Sequence, residues 1–150
     1  MFAAFNAYRH TQAGTVIRCT VFAPAIAMLA AAPFVAQPAA TILTATGLLL
    51  GAVGLLFHQL RVEVQPDAVE LALGPGLLRK RIEFREVRAA RAVRNHWLMG
   101  WGIRWIGKGW MWNVSGLDAV ELEYANGRVF RIGTDDAANL LAAIQAARGV

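Results

Sequence analysis

Residues Ala119–Gly133 read AVELEYANGRVFRIG. Val120, Leu122 and Tyr124 alternate with Glu121 and Glu123, the period-two pattern of a strand with one dry face and one wet face. Asn126-Gly127 follows, a strong short signal for a tight β-turn. Phe130 and Ile132 then resume the apolar face. The stretch is a β-hairpin, and its two glutamates are expected to point outward.

Working outward, GTDDAANLLAAIQAARG closes the chain. Thr134 or Asp135 can cap a helix there, and the acidic pair suits the positive helix N-terminus. Ala137, Leu140, Leu141, Ile144 and Ala147 form one apolar stripe, and Gly149 is a stop signal. On the upstream side, RVEVQPDAVELALG, Arg61–Gly74, alternates twice around the Pro66-Asp67 turn pair. Gly74-Pro75-Gly76 forces another turn before LLRKRIEF, a third strand with Ile82 and Phe84 on one side. REVRAARAVRN is ambiguous, because Arg85, Arg88, Arg91 and Arg94 recur every third residue. Taken as a strand, it places Val87, Ala89 and Val93 on a face that Arg91 interrupts. With strands on both sides, strand is the expectation. The total is about seven short strands and one helix over residues 61–150.

The first half obeys a different rule. No Asp, Glu, Lys or Arg occurs from Cys19 through Leu60, and all ten acidic residues lie after Arg61. A bilayer core about 30 Å thick needs about 20 apolar residues of helix. The tract holds two such crossings, about Val16–Ala36 and Ala39–Leu60, broken at Gln37-Pro38. TILTATGLLLGAVGLLF has no polar face, unlike the core helix of a soluble protein. Phe34 spoils the small-x-small signature of a cleaved signal sequence. Pro24 is tolerated where a membrane helix packs on a neighbour. Gly47 and Gly51 form a GxxxG pair, and Ala23, Ala27 and Ala31 share that spacing; such stripes serve close packing, within the hairpin or between two copies. Arg9 and Arg18 stand at the front, Arg61, Arg79, Lys80 and Arg81 follow, and the turn is uncharged. Positive residues stay on the cytoplasmic side. The expected organisation is a cytoplasmic tail at 1–15, a two-helix hairpin at 16–60 and a cytoplasmic β domain at 61–150.

VEVQPDAVEL, RIEFREV, GWGIR followed by NVSGLDAVELEYANGR, and RIGTDDAANLLAAI together resemble a bacterial pleckstrin-homology (PH)-like domain of the kind fused to paired transmembrane helices. The resemblance covers Arg61–Val150 and, through the hairpin, most of the chain. It implies a bent antiparallel sheet or partial barrel plugged by the last helix, acting as a binding module in the bacterial inner membrane.

All five tryptophans fall in NHWLMGWGIRWIGKGWMWNVSG, Asn95–Gly116. Aromatics beside a basic groove can stack on single-stranded nucleic acid, but a domain tethered to a bilayer has poor access to that ligand. Trp also favours the headgroup level of membranes. Trp105, between Arg104 and Ile106, is the residue best placed for a core. Trp97, Trp101, Trp110 and Trp112 compete for a membrane-facing loop. Arg79–Lys108 carries nine basic and two acidic residues, whereas Asp118–Asp136 carries five acidic and two basic. Anionic leaflets attract basic side chains by about 1 kcal/mol each. A lipid-facing surface is therefore expected from Arg79, Lys80, Arg81, Arg85, Arg88, Arg104 and Lys108 together with those four tryptophans.

Chemistry has little to stand on. His10, His58 and His96 lack neighbours at metal-ligand spacing. Ser115 is not in a nucleophile elbow, and GWGIRWIGKG lacks the GK[ST] of a phosphate loop. Lone Cys19 is a small hydrophobe. The functional expectation is non-catalytic binding of anionic lipid headgroups at the membrane surface, without cofactor, metal or nucleic acid. The alternative is a scaffold or subunit that binds a partner membrane protein or a second copy of the chain.

Overall fold

The computed structural model describes residues 8–149; residues 1–7 of the expected tail, and Val150, lie outside the described residues. Strand β1, Arg9–Ala13, precedes helix α1, Thr15–Phe34, and helix α2, Ala39–Phe57. Then come β2 (Gln59–Val64), β3 (Ala68–Leu73), β4 (Leu78–Glu83), β5 (Val87–Arg94), β6 (Gly102–Trp105), β7 (Gly109–Asn113), β8 (Asp118–Tyr124) and β9 (Val129–Gly133). Helix α3, Ala137–Arg148, ends the chain.

Both α1 and α2 are long and apolar enough to cross a membrane, with mean hydropathies of 1.8 and 2.0. Only 11% of each hydropathy window is buried, whereas a soluble core helix would hide most of such a surface. Ile26, Phe34, Ile42, Leu48, Leu49 and Leu55 all point outward. Arg18, expected ahead of the first helix, lies inside it, at the start of a five-residue π-helical turn, Arg18–Phe22.

The two helices meet on a seven-residue repeat. Ala25 and Ala32 are buried on α1, and Gly47 and Gly54 on α2. A Cβ at Gly47 would lie 2.9 Å from the Leu29 side chain, and one at Gly54 would lie 2.8 Å from the Phe22 ring, but one at Gly51 would meet nothing within 4 Å. Positions i and i+7 return to one face of a packed helix while i+4 drifts off it. The Gly47/Gly51 pairing therefore gives way to Gly47/Gly54, and Ala23, Ala27 and Ala31 face outward.

The β domain has nine strands rather than about seven, in two sheets ordered β1-β2-β3-β4 and β5-β8-β9-β7-β6. All pairs are antiparallel except β7 with β9. The stretch placed in the tail supplies β1, whose residues Arg9–Ala13 pair with Glu63–Gln59. β5 is a strand with an irregularity between Val87 and Ala89. The Asn126-Gly127 turn closes with Gly127 N–H donating to the Tyr124 carbonyl at 3.0 Å, and Gly127 takes φ +77°, the left-handed conformation glycine supplies cheaply.

One apolar core joins both sheets and α3. Val62, Leu71 and Ile82 meet Val120, Leu122, Phe130 and Ile132, and Leu140 and Ile144 of α3 cover them. The helix begins one residue beyond the expected caps. Asp136 is its N-cap, held by its own N–H donating to Thr134 Oγ1 at 3.0 Å, and Gly149 terminates it in the left-handed conformation.

Candidate functional site

Strand alternation divides the three basic residues of β4 between its two faces, although Arg79, Lys80 and Arg81 still line one surface cavity with Arg61. Arg79 and Arg81 lie on the outer face of β4, while Lys80, between Leu78 and Ile82, turns inward. Its Nζ sits 5.2 Å from the Phe130 ring centre, a cation–π contact. Arg81 is already spent. It donates to Glu70 at 2.5 Å, Asp67 at 2.6 Å and Gln65 at 2.9 Å. Its bond to Glu70 holds the guanidinium pKa above its ordinary value, assisted by Asp67. Arg85 pairs with Glu83 at 2.5 Å. Arg88 and Lys108 are exposed on separate elements.

The tryptophans also divide differently from expectation. In the β6–β7 register, Ile103 pairs with Trp112 and Trp105 with Trp110. Trp112 lies nearer the sandwich interior, buried against Phe130 with ring centres 6.1 Å apart. Trp105, the residue assigned to the core, sits at the far end of edge strand β6 and is half exposed. It forms an edge-to-face pair with Trp110 at 5.5 Å. Trp101 is half buried against the core, and its Nε1 is buried with no hydrogen-bond partner among the described residues. Trp97 is 64% exposed in a single turn, Trp97–Met99, initiated by His96 Nδ1 accepting from Leu98 N–H.

A different cluster forms where the hairpin enters the domain. The Gly14 N–H donates to the His58 carbonyl at 2.8 Å. A Cβ at Gly74 would lie 2.5 Å from the Leu56 carbonyl oxygen and 2.6 Å from that of Leu55, so only glycine lets the β3–β4 turn approach the end of α2 this closely. A Cβ at Gly102 would lie 3.9 Å from the Phe57 ring. Two loops therefore abut the hairpin's end: Gly74–Leu77, and Trp97–Gly102. Each shows large apolar side chains to the outside, Leu77 at 77% and Leu98 at 71% exposed, with Trp97 beside Leu98.

The strand that follows each loop also carries a latched arginine. Arg79 Nε donates to the Gly76 carbonyl at 2.9 Å, and Arg104 Nε donates to the Trp101 carbonyl at 3.2 Å. Arg79 folds over Gly76 (φ +93°) and Arg104 over Gly100 (φ +68°). Each latch uses Nε and leaves the terminal nitrogens on an exposed residue. That combination of apolar tips and oriented guanidiniums suits a headgroup layer.

Elsewhere, Glu121 lies as expected on the face of β8 opposite Val120 and Leu122, but it is only 2% exposed there because two arginines cover it. The register places Arg91, Glu121 and Arg131 in line across β5, β8 and β9. Glu121 Oε1 accepts from Arg91, and Oε2 accepts from Arg131 at 2.6 Å. Arg131 also donates to Asn95 Oδ1 at 3.0 Å. Burial alone would raise the carboxyl pKa, but the Arg131 and Arg91 bonds outweigh it and hold it below the ordinary value. The sequence carried a hint of this in Arg91, the residue that interrupts the β5 face.

Leu77 and Leu98 are missing from the sequence-based site. Their signal was a large apolar residue in a turn, weak in itself because isolated exposed leucines are ordinary. Only the contacts with the hairpin end give them meaning.

What the fold and site define is a membrane-length helical hairpin carrying a mainly β domain of two sheets and a C-terminal helix. No protein-family model matches the chain, and no curated protein matches it.

Proposed function

We propose that this chain is an integral membrane protein whose PH-like domain binds, without catalysis, at the cytoplasmic surface of a bacterial inner membrane and engages anionic lipid headgroups. The observation that carries the reading is the position of Leu77, Trp97 and Leu98 on the two loops that touch the end of α2, with Arg79 and Arg104 latched beside them. Two membrane-length helices fix that end at the bilayer border, so these side chains meet headgroups once the hairpin is inserted. Arg9 and Arg61 flank the hairpin, Arg18 sits in the first turns of α1 at the same end, and the Gln37-Pro38 turn is uncharged, which supports both chain ends lying on the cytoplasmic side.

The test is depth-dependent quenching in the full chain. Variants keeping one tryptophan are reconstituted into vesicles containing brominated lipid. Trp97 should be quenched strongly and Trp105 weakly, since β6 carries Trp105 about 10 Å from the hairpin end. Raising the anionic lipid fraction should deepen Trp97 quenching, and high salt should reverse that increment. A Trp97 that brominated lipid does not quench would refute the proposal.

A second reading has its own observation. Trp105 and Trp110 form a half-exposed aromatic pair on the open edge of the five-stranded sheet, away from the hairpin. Aromatic residues of that kind are enriched in protein interfaces, so that edge suits a partner protein. A scaffold role would use this edge and leave the headgroup contacts as anchorage.

A further inference from the structure

The geometry points to a specific binding groove for one anionic phospholipid at the junction of the hairpin and the β domain, its acyl chain between the two bodies and its phosphate on Arg104. The inference rests on the surface-binding reading above but goes further, from a layer of headgroups to a single saturable site.

A cavity of about 560 Å³ opens at this junction, within the few hundred to about 1,000 Å³ typical of small-ligand sites. Its apolar walls come from both bodies: Ile17, Val21, Val53 and Phe57 from the helices, Trp101 and Ile103 from the strand side. The helical lining spans Val16–Val21 on α1 and Val53–Phe57 on α2, roughly the last 8 Å of the hairpin at 1.5 Å per residue. The cavity therefore lies where hydrocarbon gives way to headgroups. A water-soluble ligand would have to leave its solvent to enter, whereas a lipid's chain is already at that depth.

One lining residue matches a phosphate directly. Arg104, the only charged residue lining the cavity among the described residues, is oriented by its Nε bond to the Trp101 carbonyl. Its terminal nitrogens can bridge two phosphate oxygens, the bidentate geometry guanidinium favours. The Trp101 Nε1 donor is buried at the same junction with no partner among the described residues. Buried donors are rarely left so, and because this one is closed to a water-sized probe, a lipid oxygen reaches it only when the Trp101 ring turns towards the cavity.

The wall itself is also unusual. Thr20 and Val21 line the cavity from the π-helical turn Arg18–Phe22. Such turns are rare and concentrate at functional sites. Here the turn spreads α1 beside the cavity.

The test uses the full chain, stripped of lipid in detergent and titrated with phosphatidylglycerol or phosphatidylcholine under native mass spectrometry. One phosphatidylglycerol should be retained at 1:1 and phosphatidylcholine at least tenfold more weakly. Arg104→Gln should weaken retention about tenfold, and Val53→Trp, which fills the cavity from an exposed helix position, should abolish it. Arg128→Gln, which removes an exposed cation beside the Asn126-Gly127 turn and outside the cavity, should leave retention unchanged. Retention that is graded, without a 1:1 species, or indifferent to Val53→Trp would overturn the groove. If Trp97 is nonetheless quenched by brominated lipid, surface binding stands without the groove. Loss of both results sinks both proposals.

Discussion

The Gly14 N–H donates to the His58 carbonyl at 2.8 Å, although 43 residues that form a membrane-length hairpin separate them. This bond continues the β1–β2 ladder, in which Ala13 already pairs with Gln59. The helical hairpin is thus an insertion at the tip of a β-hairpin, and the four-stranded sheet runs up to the end of the two helices. Tyr8 Oη donates to Asp136 at 3.2 Å and His10 meets Asp135 at 2.6 Å, so β1 also braces the start of α3.

A shortened chain follows from this relationship. Replacing residues 15–57 by Asn-Gly, which favours the turn that matches strand twist, should give a soluble domain with a single cooperative melt. The segment 61–150 alone should aggregate or melt without cooperativity, because it loses β1, exposes the β2 edge and lacks the fully buried Leu60. Circular dichroism melts of the two chains decide it. Equal cooperativity in both would show β1 to be dispensable.

The same relationship explains what could be read in the sequence. Strands β2, β3, β8 and β9 and helix α3 announce themselves because each carries its own apolar period and its own turn or cap. β1 does not. Arg9–Ala13 is RHTQA, with no apolar alternation, and its partner lies beyond the whole hairpin. Local pattern likewise grouped the three basic residues of β4, but a pleated strand sends Lys80 inward and keeps Arg79 and Arg81 outward. The exposed apolar tips were invisible for a similar reason. What marks Leu77 and Leu98 is proximity to the end of α2, a property of the assembled fold.

Trp112 and Trp105, two strand positions apart along the β6–β7 ladder, should respond very unequally to truncation. Trp112→Ala removes a ring buried to 8% exposure against Phe130 and should cost about 3–5 kcal/mol. Trp105→Ala removes a half-exposed ring and should cost about 1 kcal/mol or less. Denaturant unfolding in mild detergent measures both. A larger loss from Trp105 would mean that the edge pair, and not the interior ring, holds this sheet together.

Glu121 should make stability fall in acid. Its folded-state pKa is depressed, because bonds from Arg131 and Arg91 overcome the opposing effect of burial. A depressed carboxylate contributes its full stabilisation above the ordinary value of about 4.3 and loses it as pH falls towards the folded-state value. Wild-type unfolding midpoints should therefore drop between about pH 5 and pH 3, and Glu121→Gln should flatten much of that drop. The variant should also be less stable at neutral pH, since Arg131 keeps its burial but loses its counter-charge. A pH slope identical in wild type and variant would assign the acid sensitivity to other carboxylates.

Gly74 should prove to be the position that couples hairpin and domain. Gly74 and Gly127 both hold positive φ, +56° and +77°, so alanine at either pays the left-handed penalty of about 1–2 kcal/mol. They differ in surroundings. A Cβ at Gly127 meets nothing within 4 Å, whereas at Gly74 it would press on the carbonyl oxygens of Leu55 and Leu56 at 2.6 and 2.5 Å. Those are backbone atoms of a helix end and cannot swing aside as a side chain would. Gly127→Ala should therefore show only the conformational cost. Gly74→Ala should lose roughly twice as much stability or more, and should push the β3–β4 turn away from α2, carrying Leu77 with it. Single cysteines at Leu77 and at Ser115 as a reference, labelled in vesicles with a membrane-impermeant maleimide, would register that movement. Leu77 labelling should rise several-fold in the Gly74→Ala background while the reference stays constant. Equal stability losses for the two glycine variants, with unchanged labelling, would show that the turn is free of the helix end.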